Sequence, residues 1–201
     1  MKLRRALSVT AVTAALLPAA VAAAPATQAA PAADLPSCSD VSNGNYPDNA
    51  LVGRSFGIPE SITLGNHWNT YTATLTNVSA KELKSFSLSA RLDSYIYNEG
   101  EHDLRPYGDL QYWDAGQKTW KTLRQADGET TGPVPGPRTL KPRESVSVQL
   151  RFRVREGLPN TQNYDAYTHL EGTFADSYNG TACAASNEAG DAFGIPMPSK
   201  K

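Results

Sequence analysis

Apolar and polar residues alternate with a period of two along much of this chain, the spacing of strands that bury one face. The clearest run sets Val146, Val148, Leu150, Phe152 and Val154 against Ser147, Gln149, Arg151, Arg153 and Arg155 without a fault. Tyr71, Ala73 and Leu75 alternate with Thr72, Thr74 and Thr76 up to Asn77, and Phe86, Leu88, Ala90 and Leu92 alternate with Ser87, Ser89 and Arg91. Each of these three segments predicts a half-buried strand. Leu110 and Tyr112 oppose Gln111 and Trp113; the pattern breaks at Asp114 to Lys118 around Gly116 and resumes from Thr119 to Leu123, which predicts a hairpin. A further strand is expected from about Ala166 to Phe174, and a short one near Asp191 to Ile195.

Between these runs the composition is that of turns. Cys38 to Asn49 is crowded with Ser, Asp, Asn, Gly, Tyr and Pro, and Ala126 to Pro142 carries four prolines and three glycines. The first is expected to be irregular, the second a long surface connection of extended character. No segment after the N-terminal region has the 3.6-residue period of an amphipathic helix. Seven to eight short strands with one apolar face each predict an all-β fold, an antiparallel immunoglobulin-like β-sandwich. A barrel is the alternative; unequal strands and the long connection after Ala126 favour the sandwich.

The N-terminus does not belong to that pattern. Lys2, Arg4 and Arg5 precede an Ala-rich apolar stretch from Ala6 to Ala24, interrupted by Pro18, and an Ala/Pro/Thr tract follows to Ala33. Such a profile predicts a cleaved secretory signal over residues 1–29, with small residues Thr27 and Ala29 at the positions a signal peptidase reads. A retained span fits poorly, because proline interrupts the run and small residues end it. The twin-arginine route fits less well than the general one, since Ala6, Leu7 and Ser8 do not continue that motif. Residues 30–48 are then an irregular segment, 49–196 the sandwich and 197–201 a short tail.

Cleavage alters charge and redox context. The formal net charge of −1 loses the three bases Lys2, Arg4 and Arg5 and no acid, which leaves −4. A mildly acidic chain points away from nucleic acid, and nothing after signal cleavage points to a membrane. Roughly 170 residues remain, the size of one domain. Two cysteines, Cys38 and Cys183, lie near its ends, and in an oxidising compartment such a pair is expected to bridge. The rival reading makes Cys38 a lipoprotein cysteine after Leu35, Pro36 and Ser37, but Asp34 and Pro36 suit that signal badly.

The residues Trp68, Tyr71 to Asn77 and Ser79, then Leu110, Gln111, Tyr112, Asp114, Gly116 and Trp120, then Leu140, Lys141, Pro142 and Ser145 to Val154, together resemble a known family. It is that of the secreted, signal-peptide-bearing immunoglobulin-like β-sandwich proteins of actinobacteria, and the resemblance extends from about Pro59 to Cys183. It implies a secreted sandwich of unknown activity, related to wall-anchored surface proteins. This sequence stops at Met197, Pro198, Ser199, Lys200 and Lys201 without a Leu-Pro-x-Thr-Gly sorting motif, so release is expected in place of wall display.

Catalytic signatures are scarce. There is no Gly-x-Ser-x-Gly elbow and no His-Glu-x-x-His motif, and His67, His102 and His169 are too far apart in sequence for metal-ligand spacing. Each histidine is expected at the surface or at a strand end. A hydrolase would need, for example, His169 beside a serine and an acid. The acids between Asp93 and Asp114 lack an Asp-x-Asp-x-Asp-Gly ladder, so a solvated acidic loop is preferred to a calcium site. Arg151, Arg153 and Arg155 share one strand face, where charge resists edge pairing or grips an anionic polymer such as teichoic acid.

The remaining chemistry lies in Trp68, Trp113 and Trp120. Tryptophans on a common sheet face stack on pyranose rings, although in a sandwich they also serve as core or rim residues. The reading is therefore a non-enzymatic extracellular interaction module, its partner an unidentified protein or a cell-wall polymer, with no cofactor. The alternative is a carbohydrate- or cell-wall-binding module that uses those three tryptophans.

Overall fold

The faultless alternation becomes the middle strand of a five-stranded sheet, in a computed structural model that describes residues 32–94, 104, 106–124, 130–158 and 164–196. Nine strands follow in order: β1 (Leu51–Phe56), β2 (Asn69–Asn77), β3 (Lys84–Ser94), β4 (Gly108–Asp114), β5 (Thr119–Leu123), β6 (Thr131–Val134), β7 (Ser145–Val154), β8 (Tyr164–Tyr178) and β9 (Thr181–Ile195). One sheet has the order β1-β2-β7-β4-β5, the other β6-β3-β8-β9. All pairings between these strands are antiparallel. Only β1–β2, β4–β5 and β8–β9 are hairpins within a sheet; the other five connections cross between sheets. This is an antiparallel immunoglobulin-like β-sandwich with two separate sheets, which removes the barrel alternative.

The core sits where the inward faces meet. Tyr71, Ala73 and Leu75 of β2, with Leu150, Phe152 and Val154 of β7, pack on Leu88, Ala90 and Leu92 of β3, Leu170 and Phe174 of β8 and Phe193 of β9. Phe152 stacks on Phe193 of the opposite sheet at 4.5 Å between ring centroids and meets Tyr71 edge to face at 6.0 Å. The Tyr71 hydroxyl is buried with the rest of its ring and shares a 2.8 Å hydrogen bond with Thr168 Oγ1, so its polar end is satisfied across the core.

Two strands were not visible as alternations. In β1, Gly53 interrupts the pattern because the strand crosses β9 there, and a Cβ at Gly53 would overlap the Glu188 carbonyl. The expected surface connection from Ala126 to Pro142 contains β6, which pairs with β3 alone. Pro133 fits because an edge strand need not donate on its outer side. The short strand expected near Asp191 to Ile195 is only the end of the 15-residue β9, whose Ala-rich first half hides its period. The irregular segment before Asn49 holds a 3-10 turn (Ala32–Asp34) and a four-residue helix, α1 (Cys38–Val41), capped by the Ser37 hydroxyl, which accepts from Ser39 N–H.

The ends of β9 are covered by chain. Ser37 bridges to Ala184 and Ser61 to Gly194, with Ala184 N–H donating to Pro36 O and Gly194 N–H to Glu60 O, each at 2.8 Å. Between them Ser55 Oγ of β1 donates to Gly190 O at 3.2 Å. Cys38 and Cys183 form the expected disulfide, with Cα atoms 4.9 Å apart and a sequence separation of 145. No helix among the described residues is long and apolar enough to cross a membrane. The expected signal over residues 1–29 and the tail over 197–201 lie outside the described residues.

Asn77 ties the end of β2 to two loops. It is 0% exposed, and its Nδ2 donates to Lys81 O at 2.8 Å and to Leu140 O at 2.9 Å. Its Oδ1 accepts from Ser79 N–H at 2.9 Å and from Ser79 Oγ at 2.7 Å. Arg143 N–H donates to Asn77 O, and Asn77 N–H to Glu144 O, so the Lys141-Pro142 turn leads into β7 in register.

Replacing Asn77 by Ala removes four hydrogen bonds at a fully buried position, although Lys81 O keeps Ser79 Oγ and Leu140 O keeps Leu83 N–H as donors, and is expected to cost roughly 1–3 kcal/mol, measured by urea unfolding. Asn77→Asp is expected to be at least as harmful, because a carboxylate cannot donate to Lys81 O and Leu140 O. The Cys38→Ser, Cys183→Ser double variant is expected to lose up to about 4–5 kcal/mol, as the chain-entropy account of so long a loop predicts. An unchanged urea midpoint would show that the bridge adds nothing to stability.

Candidate ligand-binding surface

Strand alternation places the polar half of β7 on the outer face of the five-stranded sheet. Its register sets Arg151 opposite Gln111 of β4 and Thr70 of β2, and Arg153 opposite Asp109. On the same face, Trp113 of β4 pairs with Trp120 of β5. Trp68 joins from the loop just before β2. The structure therefore brings all three tryptophans of the sequence onto one side of one sheet.

They are joined by arginine. The Arg151 guanidinium carbon lies 4.4 Å from the Trp68 ring centroid and 4.3 Å from that of Trp120, so the cation is held between two indoles. Arg153 also covers Trp68, at 4.5 Å. Trp120 meets Trp113 edge to face, with centroids 5.4 Å apart and planes at 62°. The order along the strip is Trp68, Arg151, Trp120, Trp113. All four residues are half-buried.

Polar contacts hold the cations in place. Arg151 Nε donates to Gln111 Oε1 at 2.7 Å, and Gln111 Nε2 donates to Thr122 Oγ1 at 2.9 Å. Asp109 takes three arginines, at 2.8 Å from Arg153, 3.2 Å from Arg124 and 3.5 Å from Arg155. Desolvation, then the neighbouring Arg153, pulls the Arg151 pKa down from the ordinary guanidinium value, yet a guanidinium remains charged. The arginines that the sequence places on this strand face are thus mostly engaged by rings and side chains.

Beside Trp113, at the end of β4, the outer face gives way to a recess of about 420 Å³ that reaches between the two sheets, lined by Trp113 and Gln149, by the inward-facing Tyr112 and Val148, and by Val134 of the other sheet with Pro135 after it, among others. At the far edge of the same face Phe56 is 86% exposed and pairs in register with Thr72. From β1 to β5 this face spans four strand spacings, about 19 Å.

A second polar group lies on the outer face of the other sheet. His169, expected at the surface or a strand end, stands mid-strand over Gly190 with its side chain only 12% exposed. Its Nε2 is 3.6 Å from Glu188 Oε2, and the Tyr167 hydroxyl donates to Glu188 Oε1 at 2.8 Å. Among the described residues His169 Nδ1 has no hydrogen-bond partner, a serine hydroxyl included. An acid, Glu188, stands beside this histidine. His67 is exposed, and His102 lies outside the described residues, as do residues 95–103 and 105 of the acidic stretch. Among the described residues no group of three or more His, Cys, Asp or Glu is placed to hold a metal ion.

No family model matches this chain, and no curated protein matches it either. Among solved structures it is similar to AvmM, which catalyses macrocyclisation in alchivemycin A biosynthesis, at 14% identity over 76% of this chain and 92% of that one, with a TM-score of 0.52. More distant matches include the Bacillus cereus major pilin subunit BcpA, at 12% identity and a TM-score of 0.34 over 73% of this chain and 40% of that one. The Vibrio harveyi exo-β-N-acetylglucosaminidase matches at 13% identity and 0.32, over 75% of this chain and 18% of that one. At such identities the likeness to AvmM is one of fold alone.

Burial lowers the His169 pKa from 6.5, outweighing the upward pull of Glu188, Glu171 and Asp93, while Arg91 adds to the lowering. The folded state therefore favours the neutral ring. Its contribution to stability is complete above the unfolded value of 6.5 and is lost as pH falls below it toward the lower folded value. The urea midpoint is expected to drop between about pH 7 and about pH 5, and His169→Gln to flatten that slope. Equal slopes for the two proteins would exclude His169 as its source.

Proposed function

We propose that this protein is an exported, non-enzymatic binding module that holds a glycan of the cell envelope against the outer face of its five-stranded sheet. The observation that carries this reading is the gathering of Trp68, Trp113 and Trp120 on that one face. Trp113 and Trp120 face each other across one hairpin, and Trp68 reaches the same surface from a loop distant in sequence. Indole rings offer pyranose C–H groups a polarisable partner, and the hydroxyls of Thr70, Thr72 and Thr122 alongside offer sugar hydroxyls hydrogen bonds. A shallow, rigid sheet face suits an extended chain of sugars better than a small molecule, which favours concave sites.

Export rests on the charged, Ala-rich N-terminal segment, and the Cys38–Cys183 bridge accords with an oxidising compartment. Arg151 covers one face of Trp68 and of Trp120, so Trp113 and the recess beside it offer the more open stacking position. A general protein-interaction surface is the wider class to which this reading belongs. The aromatic strip favours the glycan within it.

The purified mature protein is expected to be retained on isolated cell wall, with chitin and cellulose as comparison matrices. Trp113→Ala and Trp120→Ala are each expected to weaken retention by about 1–2 kcal/mol, roughly tenfold, in variants that urea unfolding shows to be still folded under the binding conditions. Absence of retention on all three matrices, or equal retention of wild type and both variants, would overturn the reading.

A further inference from the structure

Four arginines, Arg124, Arg151, Arg153 and Arg155, lie along the tryptophan strip, and one carboxylate, that of Asp109, serves three of them. Four cations less one anion leave a local excess of three positive charges, in a chain whose formal charge is −1. The excess is not evenly distributed. Two of the three excess charges sit around Asp109, which Arg124, Arg153 and Arg155 share, and the third is that of Arg151, which contacts no carboxylate among the described residues. Its partners are two indole rings and the amide oxygen of Gln111.

That environment orients the guanidinium without neutralising it. The rings of Trp68 and Trp120 fix its plane, and the Nε bond to Gln111, itself held by Thr122, fixes its rotation within that plane. Among the described residues Arg151 spends only Nε on hydrogen bonding, and both terminal nitrogens are unengaged by them. A guanidinium in this condition is a preorganised fork for two anionic oxygens, and flanking indoles shield the contact from water. Lysine would supply the charge but not the paired geometry.

Resting on the glycan-binding reading above, we propose that the glycan is acidic and that Arg151 is the residue that reads its charge. A carboxylate or a phosphate group of the polymer takes the two terminal nitrogens of Arg151, while adjoining sugar rings lie on Trp113 and the exposed edge of Trp120. Uronic acids and phosphodiester-linked polyols both present such oxygens, and the probes below separate them.

Binding of the full mature chain to polygalacturonate, to poly(glycerol phosphate) and to neutral dextran is compared by titration at low and moderate salt. At least one of the two polyanions is expected to bind about tenfold more tightly than dextran, with affinity falling as salt rises. The better of them identifies the anionic group. Arg151→Gln is expected to lose about tenfold of that preference, and Arg151→Lys a smaller part of it, because charge returns without the fork. Arg54→Gln is the control: Arg54 is exposed on the same sheet face, in β1, and carries the same charge without an indole partner. It is expected to change affinity by less than about twofold. Equal losses in Arg54→Gln and Arg151→Gln would mean diffuse attraction and would overturn the assignment. Dextran binding as tightly as the polyanions would overturn the acidic ligand and leave the glycan-binding reading standing. Binding to none of these probes, or to cell wall, would remove both.

Discussion

Because successive side chains of a strand leave on opposite sides, the ten residues of β7 must build two surfaces at once. Val148, Leu150, Phe152 and Val154 are buried against the second sheet, and Phe152 lies at the centre of the aromatic contacts that join the layers. The residues between them have no choice of direction. Arg151 and Arg153 must emerge on the outer face, between β2 and β4, at the level of Thr70 and Gln111. A slip of one residue in register would bury three arginines and expose the core, so the hydrophobic packing that fixes the fold also fixes the strip with the same accuracy.

Register of this kind needs fixed ends. Asn77 supplies one, since its side chain and backbone together hold the end of β2, the Ser79–Lys81 turn and the entry to β7 in one fully satisfied polar knot. The opposite side of the sandwich is closed differently. There β9 would offer a long edge, and the chain covers it with Ser37 at one end, Ser61 at the other and the crossing of β1 between them. The disulfide anchors the N-terminal part of that cover directly to β9. Covering β9 with covalently tethered chain leaves the outer face of the other sheet available without inviting edge-to-edge pairing.

The strands that alternate large apolar with polar residues were legible in the sequence: β2, β3, β4, β5 and β7, and the middle of β8. So were the sandwich class and the pairing of Cys38 with Cys183, because an antiparallel sheet with one wet face writes its period plainly. What could not be read depends on contacts between distant segments. Gly53 looks like a break until β9 is seen to pass against it, and Pro133 looks like a turn until β6 is seen to be an edge strand. In β9 the buried Ala185 and Ala189 are too small to mark a periodic face by hydrophobicity. For the site, the outward direction of Trp113 beside Gln111 followed from alternation. The insertion of Arg151 between Trp68 and Trp120 did not, since Trp68 comes from a loop whose path no periodicity predicts.

That insertion changes what the tryptophans have to offer. An indole with both faces free is a platform for sugar rings, whereas one already covered by a guanidinium has given a face to the protein. Trp68 has given a face to Arg151 and Arg153, and Trp120 one to Arg151, so these rings serve first as walls. Two residues along the strand, Arg153 has Asp109 as its nearest carboxylate, shared with Arg124 and Arg155, whereas Arg151 has none among the described residues. The difference between these neighbours is the physical basis for separating structure from recognition here. Arg153 combines stacking with an ion pair and is accounted for by the stability of the face. Arg151 combines stacking with a charge that no carboxylate among the described residues pairs and with two terminal nitrogens that make no hydrogen bond to them, and the proposed recognition of an acidic ligand rests on that difference.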